Sequence, residues 1–257
     1  MSLYEHFRKD EHPFVDQVLD WKRIGEEEYR PKLTDFLDPR QQKIVKLIIG
    51  DQGTVRLGFW GGHENAERKR ALLYPEYIIP NKDDYKTTLF ELDYPKKFST
   101  LEHRQLLGSL MSIGMKREKF GDIISDQEHF QLILAKEVAD YVQMNLQTVG
   151  KTNVMLRELP EENVLPFKQE RDERAVTVSS LRLDTVLSEA FHISRAKIKP
   201  AVSGEKVKVN WKVVDDPSYQ LTEGDMLSLR GKGRCELVQF DGETKKGKYR
   251  LILGFPK

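Results

Sequence analysis

"RLDTVLSEAFHISRAKIKPAVSGEKVKVN" runs from Arg182 to Asn210 and changes period within 29 residues. Leu183, Val186, Leu187, Ala190 and Phe191 recur at i, i+3, i+4, i+7 and i+8, which predicts one buried helical stripe with Arg182 and Asp184 at its start. Ser194 stands where an N-cap would open a second helix. In that helix Ile198, Ala201 and Val202 face inward, while Arg195 and Lys199, four apart, share the opposite face. Pro200 falls inside it and removes one N–H bond. After Gly204 the period drops to two. Val207, Val209 and Val213 point one way and Lys206, Lys208, Asn210 and Lys212 the other, as in a half-buried strand with a basic outer face.

The charge of this stretch is not that of the whole chain. The 257 residues carry a net charge of only +1, yet from Ala175 onward fifteen Lys/Arg face ten Asp/Glu, a net of +5 that leaves −4 for the rest. Such asymmetry points to polyanion contact by the basic part. A capped helix with Arg195, Lys197 and Lys199 suits phosphate, because free N–H groups and the helix dipole add to the side-chain charge. Beyond the strand, "LTEGDMLSL", "RGKGR", "CELVQF", "DGETKKGK" and "YRLILGF" read as two hairpins with basic, glycine-rich tips. These tips add Arg230, Lys232 and Arg234, then Lys245 and Lys246, to the cationic set.

The chain before Ala175 divides into two further segments and a connector. Residues 1–80 read as mostly helical: Pro13 to Ile24, Pro39 to Ile49 behind an Asp38 N-cap, and a helix over Asn65 to Leu73 after the strand Thr54 to Trp60 and a Gly61-Gly62 turn. Arg68 and Arg70, beside the glycines, are possible phosphate contacts. Residues 83–160 follow the order βαββαβ of the ferredoxin-like unit, with strands "TTLFELDY", "FGDIIS", "HFQLIL" and "TNVMLREL". The first helix of that unit opens on a Ser99/Glu102 capping box and ends at Gly114, with Lys116 and Arg117 beyond it as possible RNA contacts. Residues 161–174, rich in charge, read as a linker before a basic module over 175–257. The sum is an α+β chain: a helical/mixed N-terminal domain, a ferredoxin-like central domain and the basic module.

Composition excludes several classes. Apolar runs stop at four to six residues, far short of the roughly 20 of a bilayer span. The opening "MSLYEHFRKDEHPF" has acidic residues and no apolar h-region, which reads as neither a secretory signal nor a transit peptide, so a cytoplasmic location is expected. One cysteine, Cys235, makes no intramolecular disulfide or paired-thiolate zinc site. Six scattered histidines offer no metal pair; His63-Glu64 is the only local acid–base couple. No cofactor and no metal are expected.

The pattern R-L-D, then S-R, then G-x-V-x-V-N, then G-D in "RLDTVLSEAFHISRAKIKPAVSGEKVKVN" and "GDMLSL" resembles the S4 (αL-type) RNA-binding domain, over about residues 180–230. By that resemblance the RNA-facing positions are Arg182, Ser194, Arg195, Lys197, Lys199, Lys206, Lys208 and Asn210. Trp211 departs from the pattern, standing where many S4 domains have glycine. With "LGFWGGHENAERKRALLYP", the central unit and the tail "RGKGRCELVQFDGETKKGK", nearly the whole chain resembles the YlmH-type S4 proteins of bacteria. This resemblance implies a monomeric, non-enzymatic protein that binds ribosomal RNA and tRNA on the large ribosomal subunit, in rescue or quality control of stalled translation.

The competing reading is an RNA-modifying enzyme with an S4 appendage. Arg182-Leu183-Asp184 repeats the R-L-D of pseudouridine synthases, but "TVLSEA" does not continue their motif and too little chain follows for a catalytic domain. A methyltransferase would need a G-x-G-x-x-G-like loop, which "GFWGG" and "GKG" do not match. No catalytic residue is assigned.

Overall fold

The computed structural model describes residues 3–50, 53–97, 99–126, 129–166, 171–244 and 247–256. They form two compact units, 1–167 and 168–257, each described by itself.

The first unit opens with α1 (His12–Glu27), β1 (Lys32–Leu37), α2 (Pro39–Ile49), β2 (Val55–Trp60) and β3 (Lys69–Pro75). Helix α2 begins as its sequence dictates: the Asp38 carboxylate accepts the Gln41 N–H at 2.8 Å, and the Gln41 side chain accepts the Asp38 N–H at 2.9 Å. The strands form an antiparallel sheet in the order β1-β3-β2, and Val15, Val18, Ile44 and Val45 of the two helices pack with Ala71 and Leu73 of β3. The segment is therefore mixed, and the helix expected over Asn65 to Leu73 does not form. Ala71, Leu72 and Leu73 are all buried in a central strand covered on both faces, so the two-residue alternation that marks a strand is missing from "RALLYP". The glycine pair is a packing device. A Cβ on Gly61 would sit 2.3 Å from the Arg68 carbonyl oxygen, and Gly62, at φ +88°, lies against Ile133.

The central segment follows with β4 (Thr87–Asp93), α3 (His103–Ser112), β5 (Phe120–Ser125), β6 (Phe130–Ala135), α4 (Lys136–Asn145), a small hairpin β7 (Thr148–Val149) and β8 (Thr152–Asn153), and β9 (Met155–Leu159). Its antiparallel order β5-β6-β4-β9 is the ferredoxin-like arrangement, with α3 and α4 packing Leu106, Leu110 and Val142 onto Phe90, Leu132 and Leu134. Helix α3 starts three residues later than the Ser99/Glu102 box predicts. Glu102 takes the cap position, its N–H donating to the Gln105 side chain at 3.0 Å, and buried Leu101 just before it joins the core that holds Leu106. The other face of this sheet, through Leu89, Ile124 and Ile133, takes Phe36 from β1.

Arg70 ties the two segments. It is 4% exposed; its Nε donates to the Thr34 carbonyl at 2.8 Å, Nη1 to the Lys86 carbonyl at 3.0 Å, and Nη1 and Nη2 to the two Glu137 carboxylate oxygens at 3.0 Å each. Lys119 adds 2.6 Å and 3.5 Å contacts to Asp35 and Glu137. Burial alone would raise the Glu137 pKa, but the hydrogen bonds and charge of Arg70, with Lys119, hold it below the ordinary glutamate value.

The second unit holds β10 (Arg171–Val178), α5 (Leu183–Ala190), α6 (Arg195–Ser203), β11 (Val207–Val209), β12 (Lys212–Val213), β13 (Met226–Leu229), β14 (Gly233–Glu243) and β15 (Tyr249–Pro256). The strands form one sheet in the order β10-β15-β14-β13-β11-β12. Leu183, Val186, Leu187, Ile198 and Val202 of the helices pack with Val207, Leu227, Cys235, Leu237, Leu251 and Leu253 of the sheet. Residues 171–174 of the expected linker are instead the start of edge strand β10, paired with β15 from Arg171↔Pro256 to Arg174↔Leu253. Charged side chains suit an edge strand, where they discourage further pairing, and they gave this one the composition of a linker. Helix α6 runs through Pro200, whose missing N–H affects only the carbonyl of Ala196, an exposed residue.

Arg70→Ala removes the guanidinium that bridges Glu137 and the Thr34 and Lys86 carbonyls, and we expect a loss of about 3 kcal/mol in urea unfolding. Because the folded Glu137 pKa is depressed, the wild-type advantage is present above the ordinary glutamate range and fades as pH falls through the folded value; the urea midpoint measured against pH checks this.

Candidate nucleic-acid interface

Asp184, 0% exposed, lies in the first turn of α5. Its Oδ1 accepts from Arg182 Nε at 3.1 Å and Thr185 Oγ1 at 3.3 Å; its Oδ2 accepts from Arg195 Nη2 at 2.9 Å. Burial pushes the Asp184 pKa up, but the bonds and charges of Arg182 and Arg195 outweigh it and hold the carboxyl below the usual aspartate value. The R-L-D and S-R elements are thus two ends of one ion pair that sets the start of α6 against the start of α5. Each arginine keeps part of its guanidinium in solvent, with side-chain exposures of 37% for Arg182 and 45% for Arg195.

A second polar knot sits at the β11–β12 hairpin. Asn210 and Trp211 both have positive φ, +50° and +64°, and form a two-residue turn of the I′ kind. Asn210 Nδ2 donates to Asp225 Oδ1 at 2.7 Å and its Oδ1 accepts the Met226 N–H at 2.9 Å, while Asp225 also accepts the Thr222 N–H at 2.8 Å. Asn210 therefore acts first as a brace between hairpin and β13. The turn also corrects the expected face of Lys212. A two-residue reversal pairs Val209 with Lys212 and Lys208 with Val213, so Lys212 shares the face of Val209, opposite to Lys208.

A groove of about 460 Å³ opens at the N-terminus of α6. Ser194 and Lys197 line it from the start of α6, Lys206 from the residue before β11, and Arg230 and Lys232 from the β13–β14 tip. The Arg230 N–H donates to the Lys206 carbonyl at 2.9 Å, which fastens the tip to the strand. Ser194 occupies the N-cap position without a side-chain cap bond, and the N–H groups of Arg195 and Ala196 have no carbonyl ahead of them in the helix. Four cationic residues line this concavity with a helix N-terminus and the apolar Ile193, Ile198, Ala201 and Leu229, and its cationic part suits phosphate. Sequence reasoning missed His192, which lines the groove at φ +52°; its only signal was its place two residues before the cap.

The remaining assigned residues fall elsewhere. Lys199 is exposed on α6 outside the groove, Lys208 and Arg234 lie on the outer face of the sheet, and Lys245 and Lys246 lie outside the described residues. In the first unit Arg70 is the buried clamp, which removes it as a phosphate contact. Arg68 turns inward to donate to the Phe36 carbonyl at 2.8 Å, and Arg117 donates to the Phe120 and Gly121 carbonyls at 2.7 and 3.1 Å. Lys116 is exposed. His63 is buried, with Nε2 3.3 Å from Asp122 Oδ2, and burial pushes the Cys235 thiol up to about 12, far from a reactive thiolate. Among the described residues no helix is long and apolar enough to cross a membrane and no group of His, Cys, Asp or Glu is placed to hold a metal.

The two-helix unit clasped by a buried R-L-D carboxylate, with its cationic groove, defines an S4-domain protein, and the S4 domain family model matches residues 181–227. Two further models match the rest: "YlmH, N-terminal" over residues 10–78 and "Putative RNA-binding domain in YlmH" over 80–163. The chain is 50% identical over 250 residues, 97% of each protein, to the "Ribosome-associated protein quality control protein P2" of Bacillus subtilis (strain 168). It belongs to the YlmH family. It is also 34% identical over 107 residues to the small ribosomal subunit protein uS4 of Desulfotalea psychrophila, covering 39% of this chain and 50% of that one. The solved "Cell division protein ylmH from Streptococcus pneumoniae" superposes with a TM-score of 0.54 at 33% identity, covering 63% of this chain and 99% of that one.

Asp184→Asn weakens both arginine contacts, and we expect a loss of ~2–3 kcal/mol. The wild-type contribution, from a depressed pKa, is present above the ordinary aspartate range and fades as pH falls through the folded value, so the substitution should flatten the acid limb of a urea-midpoint profile. Arg195→Glu, which sets a second carboxylate beside Asp184, should destabilise more than Asp184→Asn, whereas Lys206→Glu should leave unfolding within about 0.5 kcal/mol of wild type.

Proposed function

We propose that this protein is a non-enzymatic RNA-binding protein that works on the ribosome, contacting ribosomal RNA and tRNA on the large subunit in the rescue or quality control of stalled translation. The observation that carries the proposal is the convergence of Lys197, Lys206, Arg230 and Lys232 on the N-terminus of α6. Ribosome association is in the name of the Bacillus subtilis relative, which matches this chain over nearly its full length.

In this reading phosphate is gripped by the groove cations, with Lys199, Lys208 and Arg234 extending the surface and Arg182 and Arg195 offering the parts of their guanidiniums that Asp184 leaves in water. Ser194 contributes at the helix cap, Lys116 is the exposed candidate in the first unit, and Lys245 and Lys246 complete the set on sequence grounds. Such contacts position RNA without reading its bases, so selectivity comes from RNA shape. The protein acts as a cytoplasmic monomer through three functional segments, 1–80, 83–160 and 175–257. The enzyme reading loses its main support in Asp184: a carboxylate with no solvent exposure between two arginines is placed to brace helices, not to attack a base.

Charge reversal of Lys197, Lys206, Arg230 and Lys232 together should abolish co-sedimentation with ribosomes at moderate salt. Each single reversal should lower the slope of log affinity against log salt by about one. Unchanged co-sedimentation of the folded quadruple variant would refute the assignment.

A further inference from the structure

Trp211 is the residue the groove does not use. Its backbone sits at φ +64°, a conformation that glycine adopts freely and a bulky residue does not, at the second position of a two-residue turn. A tryptophan at such a place strains the backbone, and backbone strain gathers at ligand contacts. Around it the sheet register builds a surface. Lys208 pairs with Ser228, and Ser228 with Arg234, so the three share the outer face in one row across β11, β13 and β14. The Arg234 guanidinium carbon lies over the indole ring, 5.8 Å from its centre, so the ring meets the Arg234 end of this row. The central member, Ser228, is a small, half-buried residue between the two cations. A half-buried aromatic ring with a guanidinium over it and a second cation further along the same sheet face has the composition of a nucleobase platform: the ring stacks a base while the cations take the flanking phosphates.

We infer that Trp211, with Arg234 and Lys208, forms a second RNA subsite on the outer face of the sheet, which stacks one unpaired base of the bound RNA. This inference rests on the RNA-binding reading above and deepens it, because the groove grips backbone and the tryptophan engages a base. It also accounts for a strained residue at a turn that glycine would complete with less strain.

The test uses the full chain and a short single-stranded oligoribonucleotide, with heparin as a base-free polyanion. The chain has three tryptophans, of which Trp21 is buried and Trp60 donates to Glu161 at 3.3 Å, so the Trp211 signal is the difference in emission between the wild type and Trp211→Phe. That difference should be quenched by the RNA and not by heparin at saturation. Trp211→Gly, which suits the turn, should remain folded by thermal unfolding, bind the RNA about tenfold more weakly and keep the wild-type salt slope, whereas Trp211→Phe retains most of the affinity. RNA that binds without changing the Trp211 signal, or binds Trp211→Gly as tightly as wild type, overturns the platform and leaves the groove assignment standing. RNA that fails to bind even at low salt overturns both.

Discussion

A carboxylate sealed from water, Asp184, sits between the first turns of two short helices and is neutralised from both sides, by Arg182 on its own helix start and Arg195 on the next. Such a charge is tolerable in the interior only because its partners are close and hydrogen-bonded, and removing one partner leaves the rest badly solvated. The consequence is positional. With α6 held at its N-terminus, Ser194 and Lys197 line the same groove as Lys206 before β11 and the β13–β14 tip. The same arginines are partly spent on the fold and partly open to solvent, so their substitution changes the fold as well as the surface.

The first unit uses arginine for the opposite purpose. Arg70 is wholly consumed by two carbonyls and the Glu137 carboxylate, joining β3 to the start of α4, and Phe36 of β1 covers the face of the ferredoxin-like sheet that α3 and α4 leave open. The two segments before residue 167 therefore share a core face and a charge clamp. Gly61 and Gly62 belong to this economy of space, since side chains there would strike the Arg68 carbonyl and Ile133. A glycine-rich loop beside arginines reads like a phosphate cradle in the sequence; in the fold it is a close approach of chain to chain.

How far the sequence could be read depended on the range of the interaction in question. The helical stripes of α5 and α6, the Asp38 cap, the βαββαβ order and the basic character of the last module were legible because period, capping and composition are carried by residues close in sequence. The strand β3 was not, because a central strand buried on both faces has lost its alternation, and β10 was not, because the charges that protect a sheet edge resemble those of a linker. Of the candidate contacts, Lys197, Lys206, Arg230 and Lys232 stood out by residue type, but their meeting in one concavity did not.

By itself, then, the sequence determined which residues are cationic, which stripes are buried and which pattern, R-L-D to G-D, governs the C-terminal module. Only the tertiary structure decided what each long side chain touches. Lys212 changes face because a two-residue turn resets the alternation, Asn210 spends its amide on Asp225 and Met226, and Arg68 and Arg70 turn inward. The physical reason is the same in each case: periodicity is a property of one strand or helix, whereas the partner of a charged side chain is set by a second segment that the local sequence does not contain.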